Sequence, residues 1–108
     1  MKQTSYNKYK NVRVGKYDSK KESRRAEMLK LLQEKRIIHN LKEHPRYDIK
    51  IGGLHICTYV GDFEYIDSDG IKIVEDIKGM RTGLAYRLFC IKRSLMKAVN
   101  GIDIVEVI

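Results

Sequence analysis

Apolar and polar residues alternate at a period of two through the middle of the chain, and helical spacing flanks that stretch on both sides. Ala26, Leu29, Leu32 and Arg36 recur at helical intervals, with Met28 and Leu31 widening the apolar arc, so a helix is predicted from about Lys20 to Lys35. Ser19 and Glu22 stand in front of it as a capping box, S-K-K-E. Pro45 argues against helix beyond the connector 37–43. Arg46–Ile51, Leu54–Ile66 and Ile71–Lys78 then read as three strands of an antiparallel meander, the first two joined by Gly52-Gly53. Leu84, Leu88, Ile91, Leu95 and Val99 mark a second amphipathic helix, with Thr82 as N-cap and Asn100-Gly101 as its stop. The last run, I-D-I-V-E-V-I, is a strand. A strand–helix–strand unit in one sheet is expected to cross over right-handed, with its strands parallel. The predicted fold is α/β, a small mixed four-stranded sheet flanked by two helices. At 108 residues it is one domain, 11–108, behind a basic N-terminal arm of residues 1–10. A short hairpin turning at Gly15 is the reading for residues 11–17.

Charge changes the picture once it is placed along the chain. The net charge is +8, but residues 1–25 hold nine Lys/Arg against Asp18 and Glu22, and residues 77–97 hold six and no acid. The centre, 26–76, is net acidic. Basic flanks around a carboxylate-rich middle suit a polyanion bound through its phosphates, and DNA is the expected partner. No apolar run approaches the roughly 20 residues that span a bilayer, and the N-terminus lacks the apolar core of a signal peptide, so a cytoplasmic protein with no membrane partner is expected. Cys57 and Cys90 match no metal or disulfide spacing.

The candidate chemistry lies in the stretch Tyr59–Gly79. Asp76 and Lys78 share one face of their strand, and Glu75 and Ile77 the other. Whether Asp62 joins Asp76 depends on the turn. A two-residue loop sets Asp62 opposite Ile77, and a four-residue loop sets it opposite Glu75. A three-residue loop, Ser68-Asp69-Gly70, sets it opposite Asp76, and its last position wants the left-handed conformation that Gly70 supplies. In that register two carboxylates lie within about 5 Å at Cβ, with Lys78 diagonal to Asp62. Paired carboxylates suit Mg²⁺ or Mn²⁺, which can polarise a phosphoryl oxygen and activate water, while a lysine beside them stabilises developing charge.

These residues resemble the PD-(D/E)XK, restriction-endonuclease-like nuclease superfamily, whose core order is also helix, three strands, helix, strand. Tyr17–Glu22, Pro45-Arg46, Tyr59–Tyr65 and Glu75–Gly79 together are similar to motifs of small phage and prophage endonuclease-like proteins, over about residues 9–108. The resemblance implies a Mg²⁺-dependent endodeoxyribonuclease with Glu22, Asp62, Asp76 and the Ile77 carbonyl as metal ligands and Lys78 as catalytic lysine. It departs from the superfamily pattern at Gly61, where proline is usual. Branched, recombination or replication DNA is one subtype of substrate. The alternative is a nuclease-like fold that binds nucleic acid without cutting it.

Several residues keep two readings. Glu22 is either the capping partner of Ser19 or a ligand, and Glu64 is either a further ligand or a surface glutamate. His39, His44 and His55 read as surface or connector residues, although His44, next to Pro45, can reach the site. Lys16, Lys20, Lys21, Arg24, Arg81, Lys92 and Arg93 are the expected phosphate contacts, and Tyr6, Tyr9 and Tyr17 either stack on bases or anchor the arm. A chain this small can hardly embrace a duplex alone. A homodimer, or recruitment by a phage replication, recombination or packaging protein, is therefore expected.

Overall fold

The architecture was taken from a computed structural model, which describes residues 13–79 and 81–108, with side chains described from Lys20 onward. The first helix begins earlier than its cap signal. α1 spans Arg13–Glu34, so Ser19 lies inside the helix and S-K-K-E is not its N-terminus. Residues 13–17 are helical rather than part of a hairpin, and Asn11, Val12 and the arm 1–10 lie outside the described residues. A capping box works only where the preceding chain is non-helical. Here no proline precedes Ser19, and Gly15 alone, at about 1 kcal/mol relative to alanine, is too small a penalty to stop the helix.

Six strands follow: β1 (His39–Glu43), β2 (Arg46–Ile51), β3 (Leu54–Val60), β4 (Phe63–Ile66), β5 (Lys72–Ile77) and, after α2 (Gly83–Asn100), β6 (Ile104–Val107). They form a four-stranded mixed sheet in the order β1-β4-β5-β6 and a separate two-stranded hairpin, β2-β3. The four-stranded mixed sheet and the two helices match the sequence expectation, but the meander does not. The run 54–66 is two strands in two sheets, broken at Gly61-Asp62, and the edge of the main sheet is β1, which the sequence presented as a connector. H-N-L-K-E offers only Leu41 as an inward residue, too little alternation to announce a strand. Its pairing with β4 is interrupted between His39 and Lys42, where Asn40 takes φ +57°. The Leu41 amide donates to Oε1 of Gln33 at 2.8 Å, which ties the strand to α1.

The predicted turn register is present. Phe63 pairs with Glu75 and Ile66 with Lys72, the ladder that a Ser68-Asp69-Gly70 loop imposes. Gly70 has φ +81°, and the Asp67 amide donates to the Ile71 carbonyl at 2.9 Å. One Asp67 carboxylate oxygen accepts from both the Asp69 and Ile71 amides, so the turn is closed by its own side chain. β6 is parallel to β5, as the crossover through α2 requires.

Side chains of β4 and β5 separate two cores. Leu29, Ile38, Phe63 and Tyr65 pack with Ile73 and Ile77 under α1. Val74 and Ile104 pack with Ile49, Tyr59, Phe89 and Met96 under α2 and the hairpin. The second helix is rotated from its predicted orientation. It buries Phe89 and Met96, whereas Leu84 is 81% exposed, Leu88 51% and Ile91 58%. Thr82 occupies the N-cap in an extended conformation without a side-chain cap bond, and Gly101, at φ +69°, closes the C-terminus as expected.

Gly61 marks the crossing from one sheet to the other. Its amide donates to the Pro45 carbonyl at 3.0 Å, and a Cβ there would come within 3.2 Å of Val74 Cγ1 and 3.3 Å of the Tyr59 ring. Neither proline, which lacks that amide, nor any side chain fits without displacement. Gly61→Ala is expected to cost about 1–3 kcal/mol by overpacking, read as a lower urea midpoint at unchanged slope. A neutral substitution would contradict this packing.

Candidate metal and phosphate site

The neighbouring acids of β5 point to opposite faces. Glu75 faces α1, where Arg25 donates from Nε and Nη2 at 2.8 and 2.6 Å and the Tyr65 hydroxyl donates at 2.5 Å. Burial and the Glu75 hydrogen bond push the Tyr65 hydroxyl up to about 12. Asp76 faces α2. Its Oδ2 accepts from the Tyr59 hydroxyl at 2.6 Å and its Oδ1 pairs with Lys78 Nζ at 2.9 Å. The Lys78 ammonium also sits 3.7 Å above the centre of the Phe89 ring. Asp76 and Lys78 therefore form a unit from which Glu75 is excluded, as strand alternation requires.

Asp62 lies one step beyond the last β4–β5 pair. Its amide donates to the Glu75 carbonyl at 3.0 Å, and its carboxylate Oδ2 accepts from the Ile77 amide at 2.6 Å. The observed contact between Ile77 and this site is thus made by the amide. The Asp62 carbonyl in turn accepts from the His44 amide at 2.9 Å, which draws the end of β1 against the β3–β4 junction.

That junction gathers three donors from three elements. Glu22 of α1, His44 after β1 and Asp62 before β4 each present a ligand atom, all within 4.8 Å of one another. His44 Nε2 and Glu22 Oε2 are 2.8 Å apart. Glu22 thus faces the site, not a cap, and His44 belongs to the cluster rather than to the open surface. No spacing motif signals His44. The structure holds it with φ +54°, a left-handed value that is uncommon for a side-chain-bearing residue and more so before proline.

A cleft of about 390 Å³, lined by Glu22, Ser23, Ala26, Glu43, His44 and Phe63, opens beside the cluster. Burial is the main cause pushing the Asp62 carboxyl up to about 6. The Asp76 and Glu22 carboxylates add to this, against the Ile77 amide and His44. Asp62 thus feels acids from both sides, which is the situation a bound cation relieves.

The other nominated residues divide. Glu64 is buried and takes a hydrogen bond from Tyr47 and an ion pair from Lys42 at 3.5 Å, so it is a structural acid and not a surface one. Lys92 and Arg93, expected as phosphate contacts, hold partners within the chain. Lys92 donates to the Thr58 carbonyl at 3.1 Å, and Arg93 pairs with Glu106. Arg81 joins the same acid at 3.1 Å. Glu106 supplies the reason: it lies beside Asp76 across the parallel pair, where Tyr86, Arg81 and Arg93 hold its carboxyl below the usual range despite its desolvation. Lys21 donates to the Lys78 carbonyl at 3.2 Å, while Lys20 and Arg24 are exposed on α1. Lys21, Arg24 and Arg25 line a second cleft of about 300 Å³ with Ile77 and Ile108. The Lys16 side chain and Tyr6, Tyr9 and Tyr17 lie outside the described side chains. His39 and His55 are exposed and do not belong to the cluster, and His55 pairs with Thr58.

The fold and this cluster define a small mixed α/β protein with a carboxylate–histidine site at a strand junction. Residues 3–99 match the family DUF1064, described as a protein of unknown function, and the chain belongs to that family. No curated protein and no solved structure matches it.

Proposed function

We propose that the protein is a metal-dependent DNA endonuclease with a restriction-endonuclease-like core, of the kind encoded by phages and prophages. The observation that carries this reading is the convergence of Glu22, His44 and Asp62 within 4.8 Å, with Asp62 also under the influence of Asp76, which pairs with Lys78. Two carboxylates and an imidazole suit a divalent cation, with Asp76 as the neighbouring acid that Asp62 already senses. When bound, such an ion supplies Lewis acidity and an activated water. In this reading Lys78 stabilises charge on a phosphoryl oxygen, after exchanging its Asp76 contact for the substrate. Lys20 and Arg24 on α1 supply exposed positive charge for the DNA backbone, in place of the second-helix bases.

One observation favours the binding-only alternative. Asp76 is already satisfied by Tyr59 and Lys78, a closed arrangement that needs no metal. A cleavage panel of linear, single-stranded, flap and four-way DNA with Mg²⁺ or Mn²⁺, run beside Lys78→Ala, separates the two. Metal-dependent cleavage lost in the variant supports the enzyme. Salt-sensitive binding without cleavage on every substrate sinks it.

The imidazole also sets a metal preference. Mg²⁺ favours oxygen donors, whereas Mn²⁺ accepts nitrogen more readily. His44→Ala is expected to weaken Mn²⁺ binding by about tenfold or more and Mg²⁺ binding much less, as measured by calorimetry. Unchanged binding of both ions would remove His44 from the ligand set.

A further inference from the structure

Asp76 is held from the other sheet. Tyr59 lies on β3 of the two-stranded hairpin, and its hydroxyl donates at 2.6 Å to Oδ2 of Asp76, on β5 of the main sheet. Both residues are buried, so little water competes for this bond. The phenol is fixed in turn. Tyr47, its cross-strand partner, stacks on it at 6.3 Å, and Phe89 of α2 meets it at 6.5 Å. Gly61 completes the seat, because an added Cβ would lie 3.3 Å from the Tyr59 ring and 3.4 Å from its hydroxyl oxygen. The glycine immediately before Asp62 thus leaves the space that the phenol fills.

The two partners of Asp76 differ in kind. A carboxylate offers about four lone-pair positions on its two oxygens, and a single hydroxyl occupies one of them. Tyr59 is 3% exposed and holds Oδ2, whereas Lys78 keeps 20% of its side chain exposed and holds Oδ1. Tyr59 is therefore the fixed partner and Lys78 the exchangeable one. A carboxylate anchored through one oxygen by an immobile ring has its orientation set, with the other oxygen left to exchange partners.

We infer that Tyr59 is a positioning residue of the metal site, which orients the Asp76 carboxylate as a ligand for a divalent cation beside Asp62. The inference rests on the proposed metal site and adds to it a residue from the hairpin. Tyr59 acts through Asp76 alone. Ligating carboxylates are themselves held by hydrogen bonds, and loss of such a partner costs about 10–100-fold in metal affinity.

Tyr59→Phe removes the hydroxyl and keeps the ring that packs on Tyr47 and Phe89. Tyr47→Phe is the matched control, because the Tyr47 hydroxyl also donates to a buried acid, Glu64, which lies outside the metal cluster. Mn²⁺ is titrated by calorimetry into the whole protein, with each variant shown to be folded by circular dichroism. Tyr59→Phe is expected to weaken Mn²⁺ binding at least tenfold, and Tyr47→Phe to leave it unchanged. In an Asp76→Asn background, Tyr59→Phe brings no further loss. Unchanged or tighter binding in Tyr59→Phe, equal losses in the two tyrosine variants, or a further loss on Asp76→Asn overturns the positioning role and leaves the metal site standing. A parent protein that binds no Mn²⁺ overturns the metal site, and this role with it.

Discussion

Arg25→Ala is expected to destabilise the protein by about 3–5 kcal/mol, the largest single effect among the substitutions considered. Glu75 is 1% exposed and receives both carboxylate contacts from Arg25, at 2.8 and 2.6 Å. Removing the guanidinium leaves a buried carboxylate with one hydroxyl, that of Tyr65, and no counter-charge. The cost is that of an orphaned charge, not the net worth of the pair, since burying two charges consumes most of what their attraction returns. The combination Arg25→Met with Glu75→Leu therefore recovers most of the loss, and urea denaturation of the three variants distinguishes the cases. If Arg25→Ala alone cost under about 1 kcal/mol, solvent would have to be reaching Glu75, and the α1 contact would not be the anchor described here.

This anchor explains why two adjacent acids have different fates, and it was half legible in the sequence. Strand alternation separates Glu75 from Asp76, and the Asp67–Gly70 turn chemistry fixes the register that sets Asp62 near Asp76. Both are local properties, so local rules reach them. The residues that close the site come from outside the hairpin and follow no such rule. His44 reaches Glu22 because β1 pairs with β4 and Pro45 accepts from Gly61, neither of which leaves a spacing signature. β1 itself was obscured because its faces are mostly polar, and its stability comes from pairing rather than from burial.

The second helix failed for a different reason. Its longest apolar stripe, Leu84 to Val99, gives the stronger periodic signal, yet Phe89 and Met96 face the core. Periodicity reports that a face is apolar and is silent on what covers it. The same rotation brings Lys92 to the Thr58 carbonyl and Arg93 to the acid on β6. A lone Glu106 in an otherwise apolar final strand, preceded by a helix of bases, was the available hint. Gly61 was the reverse case. Its departure from proline looked like weakness in the motif, and the absence of room for a Cβ accounts for it.

Asp62→Asn is expected to stabilise the metal-free protein while destroying its response to metal. Burial first, then the Asp76 and Glu22 carboxylates, raise the Asp62 carboxyl from 3.8 to about 6, so the folded state holds this proton more tightly than the unfolded chain does. Linkage then gives the sign: with respect to this group stability is greatest below about pH 3.8, falls as pH rises towards 6, and carries the full penalty at neutral pH. A shift of this size corresponds to about 3 kcal/mol at most, and the partly exposed position reduces it to about 1 kcal/mol. Asparagine removes the charge and keeps an oxygen that can accept from the Ile77 amide, so the gain is expected at pH 7 and absent near pH 4. In millimolar Mn²⁺ the order reverses. The parent protein gains stability by mass action, about 2.7 kcal/mol at a hundredfold excess over the dissociation constant, and the variant does not. Under the proposed nuclease function, cleavage in the variant is expected to fall by more than the roughly 10–100-fold that partners outside the ligand set cost. Thermal melts at the two pH values, with and without Mn²⁺, give four midpoints. Parallel shifts of both proteins with metal would take Asp62 out of the metal site even if the pH dependence held.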